Sequence, residues 1–110
     1  NVKLDKKQQM ATRIMEYICK NYSQDISLDE LSEKFRISKT YINNLLKSFY
    51  HRSFLDILQD YRLKEAKKMI LENQYKISEI AEKVGYHDIS YFIRVFKKKY
   101  GVTPNNYGKY

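Results

Sequence analysis

The chain has 110 residues, and its 21 Lys and Arg against 13 Asp and Glu give a formal net charge of +8 at pH 7. This length predicts one domain, or two very small lobes that share an element, and the positive charge favours an anionic partner. No apolar run is long enough to span a membrane, and no signal-peptide pattern begins the chain. The single cysteine excludes a disulfide framework and fits a reducing cytosol.

The first half of the chain predicts three helices. Helical spacing of apolar residues predicts the first one over roughly residues 5–22. Ser27, with Glu30 three residues later, forms a capping box that starts a helix ending near Phe35. Ser38 can cap the next helix, which runs to about Tyr50. The predicted core face of that helix consists of Tyr41, Ile42, Leu45, Leu46 and Phe49.

A longer helix is predicted over residues 54–72, where no Gly or Pro interrupts the chain and Ser53 can act as the N-cap. At 1.5 Å per residue it would be about 28 Å long. Its apolar residues fall on two sides: Phe54, Leu58 and Tyr61 on one, and Leu55, Leu63, Ala66 and Ile70 on the other. A helix with one neighbour needs only one apolar stripe, so we expect this central helix to pack against two bodies.

Two similar segments flank the central helix. Residues 28–35 match 77–84 at an offset of 49, and residues 41–47 match 91–97 at an offset of 50. Helices are therefore also predicted at 77–83 and 89–100, with Asp88 as the cap of the second one, and Thr103-Pro104 starts a final short turn of helix. The prediction is an all-α fold of about seven helices, with a helix-turn-helix lobe at 1–53, a linker helix at 54–72 and a second helix-turn-helix lobe at 73–110.

The two repeats differ at two turn positions. The second repeat has Gly85 and Gly101 where the first has Arg36 and His51. A residue with a Cβ loses about 1 kcal/mol or more in the left-handed conformation that these turns require. We therefore expect the first lobe to be the less stable one.

A helix-turn-helix presents the exposed face of its second helix to the DNA major groove, where each base pair shows a distinct donor and acceptor pattern. The candidate base contacts are Thr40, Asn43 and Asn44 in the first repeat and His87, Ser90, Ile93 and Arg94 in the second. The candidate phosphate contacts are Lys39, Lys47, Lys97 and Lys98. Asn suits adenine and Arg suits guanine, whereas Ile93 offers only apolar contact.

Other interpretations of these residues remain open. The two asparagines could be solvated surface, Arg94 could pair with Asp88 or Glu82, and the lysines could form a solvated face. Most of the eleven tyrosines recur at core spacing, as Tyr17, Tyr61 and Tyr91 do, which favours packing over stacking on bases. The two histidines have no metal-ligand spacing, so neither a metal nor a cofactor is predicted.

Three classes of function were compared. The repeated turns favour a sequence-specific binder of double-stranded DNA. The alternative is a basic helical module that binds a partner or a membrane surface, which leaves the repeated turn unexplained. An enzyme is rejected, because the sequence shows no paired nucleophile and base, no perturbed carboxylate pair and no phosphate-binding glycine loop.

The second repeat resembles the signature of the AraC/XylS family. The residues that carry this resemblance are Ile77-Ser-Glu-Ile-Ala-Glu-Lys-Val-Gly-Tyr86, Asp88, Ser90-Tyr-Phe92, Arg94, Phe96-Lys97, Gly101 and Thr103-Pro104. Upstream, Ile26-Ser-Leu28, Leu31, Phe35, Ile37-Ser38, Tyr41, Phe54, Arg62-Leu63 and Ala66 extend it, so that it covers Ile14 to Tyr107. The departures are Ser32 for Ala, Leu46 for Phe, Ile93 for a small polar residue, and the two missing glycines.

The resemblance implies a bacterial, cytoplasmic transcription regulator with two helix-turn-helix units joined by a long helix. It implies base reading by Thr40, Asn43, Asn44, Ser90 and Arg94. The expected partners are double-stranded DNA and RNA polymerase. The resemblance also implies a separate sensing, dimerising or phosphoacceptor domain upstream, and the opening on Asn1 without an initiator Met fits this expectation.

Overall fold

The computed structural model describes residues 2–109, and within them the fold is all-α, with seven helices and no strand. The helices are α1 (Val2–Asn21), α2 (Leu28–Phe35), α3 (Lys39–Tyr50), α4 (Phe54–Glu72), α5 (Ile77–Lys83), α6 (Ile89–Tyr100) and α7 (Pro104–Tyr107). The predicted fold class is confirmed, and α1 alone begins clearly earlier than predicted. No helix of this described stretch is both long and apolar enough to cross a membrane.

Side-chain caps set the starts of α3 and α6. Ser38 Oγ accepts a hydrogen bond from the backbone N–H of Tyr41 at 3.0 Å. At the equivalent place in the second repeat, Asp88 Oδ1 accepts from the N–H of Ser90 at 2.9 Å. Both caps satisfy N–H groups that have no partner within the helix, which confirms the predicted starts.

One predicted capping box is replaced by a tertiary contact. Ser27 Oγ accepts from the N–H of Glu30 at 3.2 Å, as expected. The Glu30 carboxylate, however, accepts a hydrogen bond from the Tyr17 hydroxyl of α1 instead of the Ser27 N–H. This hydrogen bond raises the pKa of the Tyr17 hydroxyl and ties α2 to α1.

The chain divides into two compact units, and the division falls inside α4, between Gln59 and Asp60. In the first unit, side chains from α1 to α4 form one apolar core around Ile14, Ile18, Leu31, Ile42 and Leu46. In the second, the fully buried side chains include Leu63, Ile80, Val84, Phe92 and Phe96. Each unit thus has its own core.

The buried residues of α4 change along its length. Phe54, Ile57 and Leu58 belong to the core of the first unit, whereas Leu63, Ala66 and Ile70 are buried in the second. Leu55 is 68% exposed, so its expected place on a packed side was wrong. The N-terminal segment of α4 contributes to the core of the first unit and its C-terminal segment to the second, so α4 does not need two apolar stripes along its whole length.

The four left-handed turn residues that the sequence predicted have positive φ, and Asn73, with φ 56°, is a further one that was not predicted. Arg36 has φ 57° and His51 has φ 64°, and the matching Gly85 and Gly101 have φ 104° and 83°. The repeat is therefore preserved in the backbone, although the first unit uses residues that are strained in this region.

Ser32, where the family pattern has Ala, stabilises the turn that contains Arg36. Its hydroxyl donates a hydrogen bond to the carbonyl oxygen of Ile37 at 2.6 Å, across the turn between α2 and α3. The second unit has Ala81 at the matching position, and it is buried. The hydroxyl thus satisfies a carbonyl in the strained turn.

Candidate nucleic-acid interface

The exposed face of α3 carries most of the predicted contacts of the first unit. Ile42, Leu45 and Leu46 are buried, as predicted, and they turn Lys39, Thr40, Asn44 and Lys47 toward solvent. Tyr41 was expected to face the core, but it is 38% exposed and lies on the same open face.

The exposed face of α6 repeats this arrangement. Phe92, Val95 and Phe96 are buried, whereas Ser90, Tyr91, Arg94 and residues 97–99 are exposed. His87 is exposed just before the N-cap. Ile93 is half-buried, so less of its side chain is available for a base than the sequence suggested. Tyr91 was assigned to core packing, yet it is 41% exposed.

The charges on these helices are one-sided. Neither α3 nor α6 contains an Asp or Glu. α3 contains two lysines, and α6 contains Arg94 and three consecutive lysines. The preceding helices α2 and α5 have acidic residues in their first turns, namely Asp29, Glu30 and Glu79. The charges of α3 and α6 therefore favour a polyanion at these faces over the acidic first turns of α2 and α5.

The lysines differ in their local partners. Lys39 Nζ lies 2.9 Å from Asp29 Oδ1, and both side chains are largely exposed. Lys47, Lys97 and Lys98 have no acidic partner among residues 5–109. An exposed ion pair contributes little free energy, so Lys39 can exchange the Asp29 carboxylate for a phosphate at little cost. The other three lysines would bind a phosphate without breaking an ion pair.

Arg94 is held by an aromatic ring. Its Cζ lies 5.2 Å from the centroid of the Tyr91 ring, one helical turn earlier, and Tyr91 in turn packs 6.0 Å from the ring of Tyr86. The Asp88 carboxylate is engaged as the helix cap, and Arg94 has no ion pair among the described residues. A guanidinium that stacks on an aromatic ring keeps the N–H donors along its edge available for hydrogen bonding.

Asn43 and Asn44 have different surroundings. Asn44 is exposed and makes no side-chain hydrogen bond within the described part of the chain. Asn43 is half-buried, and its Oδ1 accepts a hydrogen bond from the N–H of Phe54, the first residue of α4, at 2.9 Å. The sequence did not indicate this contact. It uses the oxygen that pairing with adenine would require, so the base contact assigned to Asn43 stays a prediction that competes with this bond.

The remaining predicted residues do not gather into another kind of site. Thr40 and Ser90 are exposed in the first turns of α3 and α6. No group of three or more His, Cys, Asp and Glu that could hold a metal ion occurs among the described residues. The arrangement is an open, basic, hydrogen-bonding surface on each of two helices.

Comparison with known proteins places this surface in a family. A family model described as a helix-turn-helix domain matches residues 31–110. The transcriptional activator CfaD of Escherichia coli is 37% identical over 98 residues, which is 89% of this chain and 37% of that protein. The chain thus spans little more than a third of this curated relative.

Solved structures show the same fold. The C-terminal domain of AraT, a response regulator from Geobacillus stearothermophilus, matches with a TM-score of 0.87 and 36% identity, over 91% of this chain and 84% of that one. The DNA-binding domain of AdpA, solved in complex with a target DNA, shares the fold with a TM-score of 0.85 at 15% identity, over 90% and 89% of the two chains. The family model over residues 31–110, together with the similarity to CfaD and to the AraT domain, shows that this chain belongs to the AraC/XylS-type helix-turn-helix family.

Proposed function

We propose that this domain binds double-stranded DNA sequence-specifically through α3 and α6. The observation that carries the proposal is the repeated recognition helix, which in each unit exposes polar and cationic side chains and contains no carboxylate. The solved DNA complex of AdpA, which has the same fold, supports the proposal by analogy.

Asn44 and Arg94 occupy equivalent positions in the two repeats, and both project from the middle of an exposed helix face. An asparagine pairs with the N6 and N7 edge of adenine, and an arginine spans O6 and N7 of guanine. Thr40 and Ser90, one turn earlier, complete each reading face, and His87 and Ile93 are secondary candidates. Lys39, Lys47, Lys97 and Lys98 would bind phosphates and contribute affinity without discrimination.

One chain would cover two reading sites. Successive major grooves on one face of a duplex are about 34 Å apart, and each helix-turn-helix unit would occupy one of them. The subdivision into lobes at 1–53 and 73–110, joined by residues 54–72, belongs to this proposal. Contacts of both units with one duplex would be made without a second copy of the chain.

The wider role would be regulation of bacterial transcription in the cytoplasm. Relatives such as CfaD are transcriptional activators, and this chain corresponds to about a third of that protein. The full-length protein would therefore carry a sensing, dimerising or phosphoacceptor domain before this one, and it would act on RNA polymerase.

Selection of bound duplexes from a random pool, followed by footprinting of the best sequence, tests the proposal. The expected result is two protected patches on one face of the duplex, one helical turn apart. A single isolated patch, or patches on opposite faces, would refute the arrangement in successive grooves. Binding to anionic liposomes without any duplex preference would instead support the membrane-surface module.

A further inference from the structure

A side chain in the middle of α3 is bonded to the start of α4. Asn43 Oδ1 accepts the hydrogen bond from Phe54 N at 2.9 Å, and the Phe54 side chain is only 1% exposed. The first N–H groups of a helix have no intrahelical acceptor, and such a group is costly when it is buried without a partner. Asn43 therefore satisfies a specific backbone donor of the central helix.

The second repeat shows what happens when that donor is missing. At the offset of 50 residues, Phe54 corresponds to Pro104, and Asn43 corresponds to Ile93. Proline has no backbone N–H, and the half-buried Ile93 has no acceptor to offer. The donor and the acceptor are thus both present in the first unit and both absent in the second. An acceptor side chain therefore occurs at this position only in the unit whose next helix begins with a backbone N–H.

We infer that Asn43 is a positioning residue, which anchors α3 to the N-terminus of α4 and so sets the reading angle of Asn44, and that it does not itself read a base. The inference about reading rests on the proposed DNA-binding function. Bidentate pairing with adenine needs the amide oxygen of Asn as well as its nitrogen, and in Asn43 that oxygen is engaged.

Two substitutions separate anchoring from reading. Asn43→Asp keeps an oxygen acceptor for the Phe54 N–H but lacks the amide donor that adenine N7 requires. Asn43→Leu keeps a similar volume and removes the acceptor altogether. Asn44→Leu is the matched control for folding stability, because the neighbouring Asn44 side chain is exposed and makes no hydrogen bond within the described chain.

The measurement is the affinity of each variant for the selected duplex and for its single-base substitutions, taken well below the melting temperature. Asn43→Leu is expected to lower the adenine preference in the first half of the site by about fivefold, equivalent to about 1 kcal/mol. Asn43→Asp is expected to restore that preference, although its negative charge weakens binding to every duplex. A role in stability alone would not change these ratios, and Arg94-dependent guanine preference in the second half should not change in either variant.

Thermal unfolding gives an independent readout. Asn43→Leu should lower the melting temperature by about 4–8 °C, and Asn43→Asp and Asn44→Leu should leave it nearly unchanged. A loss of base preference in Asn43→Asp at one position, or a switch there to cytosine, would make Asn43 a reader and overturn the inference. Unchanged adenine preference in Asn43→Leu would overturn it too. If wild-type protein shows no duplex preference, the proposed function fails, and the melting temperatures still test the anchor.

Discussion

Replacing His51 by glycine should stabilise the first unit. His51 ends α3 in the left-handed conformation, with φ 64° and ψ 21°, and its N–H donates to the Lys47 carbonyl at 3.0 Å. A Cβ in this conformation costs about 1–2 kcal/mol, whereas glycine adopts it freely. The exposed imidazole gives up no burial when it is removed.

The gain is reduced by the unfolded chain, in which glycine has more freedom to lose, at a cost of about 0.4–1 kcal/mol. The net stabilisation for His51→Gly should then be about 0.5–1 kcal/mol, which corresponds to a rise of about 2–6 °C in melting temperature. Arg36→Gly, at φ 57° and also exposed, should give a similar and additive gain.

The assay is thermal unfolding followed by circular dichroism, with amide hydrogen exchange to show that the gain lies within residues 1–59. Gly101→Ala is the matched reciprocal change, because φ is +83° there and an added Cβ would meet no atom within 4 Å. Its backbone strain of about 1–2 kcal/mol, reduced by the same unfolded-chain effect, should leave a net cost of about 0.5–1 kcal/mol. Ser48→Gly, in the exposed interior of α3, should also destabilise, which excludes a general benefit of glycine. A lower melting temperature for His51→Gly would refute the strain argument.

Three further predictions concern reading, phosphate contact and pH. Arg94→Ala should cost about 1–3 kcal/mol of binding free energy on the preferred duplex and relax the preference for one guanine, and Asn44→Ala should relax the preference for one adenine. A double-mutant cycle should find the two losses nearly additive. If Arg94→Ala weakened binding to all duplexes equally, Arg94 would be a phosphate contact. For six to ten neutralised phosphates, the slope of log affinity against log salt is expected at about −5 to −9. Lys47→Ala or Lys97→Ala should weaken binding to every duplex alike and reduce the size of this slope by about one unit. A salt-independent affinity would contradict this prediction. Burial raises the pKa of the Tyr86 hydroxyl to about 12, so the folded state holds this proton more tightly than the unfolded state, and the resulting stability is present below about pH 10 and lost between about pH 10 and 12. The buried hydroxyl has no hydrogen-bond partner among the described residues, so Tyr86→Phe should be neutral or stabilising at pH 7 and should lose less stability than wild type in urea titrations from pH 10 to 12, and identical pH dependence in the two proteins would refute the assignment.

Features that depend on near neighbours in the chain were readable from the sequence. The caps at Ser38 and Asp88, the helix bounds and the left-handed turns at Arg36 and His51 each involve groups within about one helical turn. The alignment of the two repeats then predicted the left-handed conformation of Gly85 and Gly101 for Arg36 and His51, although these residue types disfavour it. Local hydrogen bonding and steric exclusion determine such features, so a pattern of residue types is enough to predict them.

Features that depend on distant groups were decided only by the tertiary structure. Spacing alone placed Leu55 and Tyr91 on packed faces, but Leu55 is 68% exposed and Tyr91 is 41% exposed, because burial depends on which other elements pack over a position. Asn43 appeared equivalent to Asn44 in the sequence, and only the approach of the Phe54 N–H, eleven residues away, distinguishes them. Helical periodicity defines which residues share a face, whereas packing of remote elements determines which of those faces is covered and which polar groups must find a partner inside the protein.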